Sequence, residues 1–149
     1  MGFFDRLLGR HPDERRTSPG ATDAADDASS SGAADLTDAE REESVARIAQ
    51  LQQLLAQGED AGESPSWQLH EELGILHERL GDLDAAITAH ETALAEHTRY
   101  GESYNQLMTL YNTKLAQSSA AGDGEAINHW MSKIDELLAT SKRIMRENY

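Results

Sequence analysis

The dipeptide Gly81-Asp82 interrupts an otherwise helical run, and this break constrains the fold more than any other feature of the chain. Before it, Leu69, Leu73, Leu76 and Leu80 recur at alternating intervals of four and three. After it, Leu83, Ile87, His90 and Leu94 do the same. Such intervals put each set on one face of a helix. Glycine readily takes the positive φ with which many helices end, and an aspartate next to it can accept from the free N–H groups that open the following helix. A turn this short sends the chain back on itself, so the two helices are expected to lie antiparallel.

The same reading extends over residues 36–149. Thr37 with Glu40 three positions later forms a capping-box pattern. The helix from Thr37 to Gln57 carries Val45, Ile48, Leu51 and Leu55 inward, and "GEDAGES" ends it. Ser64-Pro65 offers an N-cap followed by proline at the first helical position. Gly101 marks a further turn, after which Tyr104, Leu107, Met108, Tyr111 and Leu115 form the next stripe. Gly122-Asp123 repeats the break at Gly81-Asp82. A last, strongly amphipathic helix follows, with Ile127, Trp130, Met131, Ile134, Leu137, Leu138, Ile144 and Met145. Lys142, Arg143 and Arg146 favour the negative end of its dipole. No alternating strand pattern competes. The expectation is an all-α domain of about five helices with a long C-terminal capping helix.

The segment "LGILHERLGDLDAAITAHETAL" resembles a tetratricopeptide repeat, a helix–turn–helix unit of about 34 residues. Leu73-Gly74 falls on the repeat's Leu-Gly pair and Trp67 on its first position. Gly81-Asp82 falls on its turn, Ala86-Ile87 on the small residue of the second helix and its neighbour, and Ala93-Leu94 on the closing pair. His70, His77 and His90 stand where the repeat usually has large aromatics, and Thr98 stands in place of its usual proline. A second, degenerate unit starts at Gly101, and its turn comes about seven residues late in the alignment. The resemblance implies a short antiparallel array that binds a peptide or helix of a partner protein in a concave groove. The groove positions it implies are Gln68, Glu71, Ile75, Glu78 and Arg79, then Glu102, Asn105, Thr109, Asn112 and Thr113. This set lacks the several basic residues of the family's carboxylate-clamp members, so a peptide C-terminus is not the ligand to expect.

Three His-Glu pairs, His70-Glu71, His77-Glu78 and His90-Glu91, raise the question of chemistry. A helical zinc site needs a second histidine four residues on, because those positions share a face. Gly74, Gly81 and Leu94 occupy these positions instead. The three histidines are therefore read as flat, semi-polar packing residues, and His97 and His129 as rim residues. Cysteine is absent, which removes thiolate chemistry. No serine elbow or glycine-rich phosphate loop occurs. A non-enzymatic protein without cofactor or metal is expected. The net charge is −14, and both halves of the chain are acidic, which would repel a nucleic-acid backbone.

Residues 1–10, "MGFFDRLLGR", place Phe3, Phe4, Leu7 and Leu8 on one face of a short amphipathic helix. Three readings stand side by side: a weak membrane foot, a helix that docks in a partner's groove, and an inert end. Residues 11–35 contain no apolar side chain larger than alanine apart from proline, and are expected to form a disordered acidic linker. No run is long enough to cross a bilayer. The expected location is cytoplasmic, with a peripheral position at the inner membrane face if the tip is a foot. The competing reading of the whole chain is a self-associating bundle, a homodimer through Trp130, Met131 and their neighbours.

Overall fold

A computed structural model describes residues 36–58 and 63–148. Five helices account for most of these residues: α1 (Asp38–Gln57), α2 (Ser66–Arg79), α3 (Leu83–Glu96), α4 (Glu102–Ala121) and α5 (Gly124–Asn148). Among the described residues there is no strand. The all-α class read from the sequence is the class observed, and α5, at 25 residues, is the longest of the five. A compact unit spans Thr37–Tyr149. The expectations for the tip at residues 1–10, with Phe3, Phe4, Leu7 and Leu8, and for the linker at 11–35 lie outside the described residues.

The helix ends follow from local chemistry. Thr37 and Glu40 close a complete capping box at the start of α1. At the end of α2, Gly81 has φ 80°. Its N–H donates to the Glu78 carbonyl and that of Asp82 to the His77 carbonyl, the paired bonds of a Schellman turn. Asp82 Oδ1 then accepts from the Ala85 N–H at 3.2 Å and starts α3. The α4–α5 turn repeats this chemistry. Gly122 has φ 68°, its N–H and that of Asp123 donate to Ser119 and Ser118, and Asp123 accepts from Ala126 at 3.2 Å. Two helical hairpins therefore share one turn design, although α4 has 20 residues against 14 in α2.

Two local expectations need correction. Ser64 is not the N-cap of α2: Pro65 holds that place, with no side-chain cap, and Ser66 is the first helical residue. The Pro65 carbonyl accepts from Gln68 at 3.0 Å, and the Ser66 hydroxyl donates across to Glu96 Oε2 at 2.7 Å. Val45 does not face inward; it is 53% exposed, and Ser44 is buried beside Ile48 and Leu51. The buried face of α1 is narrow because it packs chiefly on α2. Ser44 meets the polar cost of burial by donating to the Glu40 carbonyl at 2.9 Å.

Apolar packing falls into two clusters. Ile48, Leu51, Leu73, Leu76 and Ala89 join α1, α2 and α3. Ala86, Ile87, Leu94, Tyr104, Leu107, Leu110, Tyr111 and Leu137 join α3, α4 and α5. Helix α3 serves both. Trp67 meets His97 and, seven residues on, Gly74 meets His90, so the partners run in reverse chain order and α2 and α3 are antiparallel. Lys114–Asp84 and Tyr111–Glu91 show the same for α3 and α4. The Trp67 ring stacks on His97 at 4.4 Å, and the Arg99 guanidinium lies over Trp67 at 4.7 Å, which closes the open end of the first hairpin.

Gly74 allows the contact on which this hairpin depends. A Cβ built there would sit 2.4 Å from His90 Nε2, and His90 is wholly buried. Glycine to alanine in a helix interior normally gains about 1 kcal/mol. Here Gly74→Ala should instead cost about 1–3 kcal/mol through overpacking. In a His90→Ala background the same change should become stabilising. Urea unfolding of the four chains of this double-mutant cycle measures the reversal.

Candidate functional site

Sequence and structure together single out the seam where α2, α3 and α4 meet. Helix α4 starts at Gly101, which offers no side-chain cap. Glu71 of α2 supplies one across the seam: its Oε2 accepts from the Ser103 N–H at 3.3 Å and from the Ser103 hydroxyl at 2.9 Å. The other oxygen, Oε1, lies 3.7 Å from Arg99. The Ser103 oxygen also meets His90 Nδ1 at 3.2 Å. On the far side of the ring, His90 Nε2 faces Glu78 Oε1 at 3.5 Å. Burial pushes the Glu78 carboxyl up to about 7, with Glu102 adding to the rise. Burial also lowers the basicity of His90, against the opposing pull of the Glu71 and Glu102 carboxylates.

This serine–histidine–carboxylate row has the members of a nucleophilic triad but not its chemistry. Ser103 is 4% exposed and His90 0%, so a substrate has no path to either. The serine proton is directed to Glu71 rather than to the ring, so His90 is not placed as its base. Among the described residues no group of three or more His, Asp or Glu side chains is placed to hold a metal ion. The cleft between α3 and α5, lined by Glu91, Tyr111, Lys133, Glu136, Thr140 and Arg143 among others, holds about 210 Å³, less than a small-molecule site usually occupies. At its edge Tyr111 and Lys133 both donate to Glu91 Oε2, each at 2.9 Å, tying three helices together. Burial, then Glu91, raises the Tyr111 hydroxyl, which therefore stays protonated as a donor.

The groove positions divide into two groups. Gln68 and Arg79 are exposed and Ile75 is half-buried, and the three share one face of α2. Asn105, Thr109 and Asn112 form an exposed stripe on α4. Two of these polar groups already bond their own helix: Asn112 Nδ2 donates to the Met108 carbonyl at 2.8 Å and the Thr109 hydroxyl to that of Asn105 at 3.3 Å. Thr113, half-buried, donates to the Thr109 carbonyl at 2.9 Å. Glu102 is exposed and accepts from Gln106 at 2.8 Å. Glu71 and Glu78 instead turn into the seam. Of the histidines read as packing residues, His90 is fully buried, while His70 and His77 are half-buried. His97 and His129 are exposed, as rim residues are.

Ser103 was not singled out by sequence reasoning. Its signal was present: it lies four residues before Leu107, on the buried stripe of α4, and a polar residue on such a stripe needs a partner. Arg99 carries no comparable signal, because its partners Glu71 and Trp67 belong to another helix. No family model, no curated protein and no solved structure matches this chain.

Glu71→Ala removes the side-chain cap that α4 receives from α2 and takes from the buried Ser103 hydroxyl its carboxylate acceptor. The expected cost is about 1–2 kcal/mol. Amide exchange should accelerate most at Ser103 and its neighbours in the first turn of α4.

Proposed function

We propose that the folded unit is a short tetratricopeptide-like array, a non-enzymatic protein–protein interaction module that holds a peptide or helix of a partner protein against α2 and α4. The observation that carries this reading is the repeated hairpin design. Both hairpins turn at a positive-φ glycine followed by a capping aspartate, and the first helix of each keeps a solvent-facing stripe. Gln68, Ile75 and Arg79 form one stripe and Asn105, Thr109 and Asn112 the other. An apolar side chain among amide, hydroxyl and guanidinium groups suits a backbone that needs both donors and acceptors. Glu71 and Glu78 serve this module as supports that set α4 against α2, while Glu102 and Thr113 border the stripe. The tip at residues 1–10 would give such an adaptor its membrane or partner contact, and a cytoplasmic setting suits the cysteine-free chain.

A second reading has its own support. Met131, Leu138 and Met145 recur every seven residues on α5 and are 51%, 45% and 47% exposed. Such a stripe suits self-association of the chain. Sedimentation of the full chain separates the two: a monomer supports the groove, whereas a dimer that Leu138→Glu dissociates puts self-association first.

Asn105→Ala with Asn112→Ala should abolish capture of the partner recovered by the full chain while leaving the melting temperature within about 2 °C, since both sites are exposed. Capture of that partner undiminished by the double change would remove the α4 stripe from the binding surface.

A further inference from the structure

We infer that Glu78 and His90 form a buried one-proton site at the junction of α2, α3 and α4, and that loss of this proton loosens the seating of α4 on α2. The geometry comes from hydrogen-bond direction. Ser103 has one hydroxyl proton, and it goes to Glu71 Oε2 at 2.9 Å. The serine oxygen can then only accept from His90 Nδ1, 3.2 Å away, so Nδ1 is the protonated nitrogen of the ring. Nε2 of a neutral imidazole is left as an acceptor. It faces Glu78 Oε1 at 3.5 Å, and both atoms are buried without a hydrogen-bond partner. Two bare acceptors do not share a dry seam without cost. One proton between them resolves the conflict, and the pair is then neutral overall.

The surroundings decide where the proton sits. Burial raises the Glu78 carboxyl to about 7, reinforced by Glu102 at the start of α4. Burial lowers His90, with Glu71 of α2 and Glu102 of α4 acting the other way. The proton therefore resides on Glu78, as a carboxylic acid aimed at Nε2. Three cations of the surrounding elements are engaged elsewhere: Arg99 of the α3–α4 loop with Glu71, Arg47 of α1 with Glu72 of α2, and Lys133 of α5 with Glu91 of α3. When the proton leaves, a buried carboxylate confronts the imidazole lone pair and the negative Glu71 and Glu102. Moving the ring proton to Nε2 relieves this contact but leaves Nδ1 an acceptor, so the Ser103 hydroxyl either turns to it from Glu71 or loses the contact, and the first turn of α4 loses one support in both cases.

The sign of the pH dependence follows by linkage. The folded value for Glu78, about 7, is above its ordinary value of 4.5. Its contribution is thus fully present below about pH 4.5 and is lost as pH rises through 7. His90 is shifted down from 6.5, so its contribution is present above that value and is lost as pH falls. Between 4.5 and 6.5 the two trends oppose each other: as pH rises, Glu78 weakens folding while His90 strengthens it. Asn105 stands in the first turn of α4, so in the proposed interaction module the polar stripe shifts with this proton. That consequence rests on the groove reading, whereas the proton site does not.

Glu78→Gln tests the site, because an amide presents Nε2 with a donor at every pH. In the full chain, urea unfolding at pH 5.5 and 8.5 should show the folding equilibrium of the variant shifting in its favour, relative to wild type, by about thirtyfold between the two pH values. Amides of the first turn of α4 should exchange about tenfold faster in wild type than in the variant at pH 8.5, and alike at pH 5.5. Carbon NMR of the unsubstituted chain should place the Glu78 midpoint near 7, and nitrogen NMR should show His90 protonated at Nδ1. A Glu78 midpoint in the usual carboxyl range, or a wild-type-to-variant difference equal at both pH values, overturns the proposal. The NMR titration decides it even if the glutamine variant fails to fold.

Discussion

The fit of the His90 ring against Gly74 is the contact from which the rest of the architecture follows. Only a residue without a Cβ leaves room for an imidazole between α2 and α3. A ring seated there has two nitrogens to satisfy in a place that water does not reach. One nitrogen draws Ser103 and through it Glu71, and the other faces Glu78. Three helices are thus placed by the hydrogen-bonding needs of a single side chain. An apolar aromatic at the same position would pack the hairpin but would ask nothing of α4.

Helix α3 shows how so small an array can hold two cores. It is only 14 residues long, yet it faces α1 and α2 on one side and α4 and α5 on the other. Alanine makes this feasible: Ala89 packs with the first cluster and Ala86 with the second. Their small side chains let helices approach from both sides. The polar nodes lie on the same helix, His90 toward α2 and Glu91 toward Tyr111 and Lys133. Adjacent positions point about 100° apart on a helix, so one His-Glu dipeptide serves two seams. What reads in sequence as a pair suited to chemistry is a pair of struts.

Much of this was legible in the chain itself. The helices, both Gly-Asp turns and the capping box follow from residues within four positions of one another, and local rules suffice for them. Burial of His90 was also legible, from its place in the stripe of Leu83, Ile87 and Leu94. Val45 was misread because periodicity alone does not say which edge of a stripe a neighbouring helix will cover. Ser64 was misplaced by one residue, as Ser66 turned to Glu96 and no side chain capped the turn. The turning inward of Glu71 and Glu78 was beyond local rules altogether. Both sit beside the solvent-facing stripe of α2, and only the placement of other helices decides that they face protein rather than water: α4 through Ser103 for Glu71, and α3 through His90 for Glu78.

The cap that Glu71 lends to Ser103 also bears on how the unit comes apart. In stacked helical repeats, each hairpin tends to melt at its own threshold, coupled to the next only through their shared apolar surface. Here the first turn of one hairpin is completed by a carboxylate belonging to the other. The link adds to the apolar surface that the hairpins share, so loosening of one is felt at the helix start of the other, and the two are expected to unfold together.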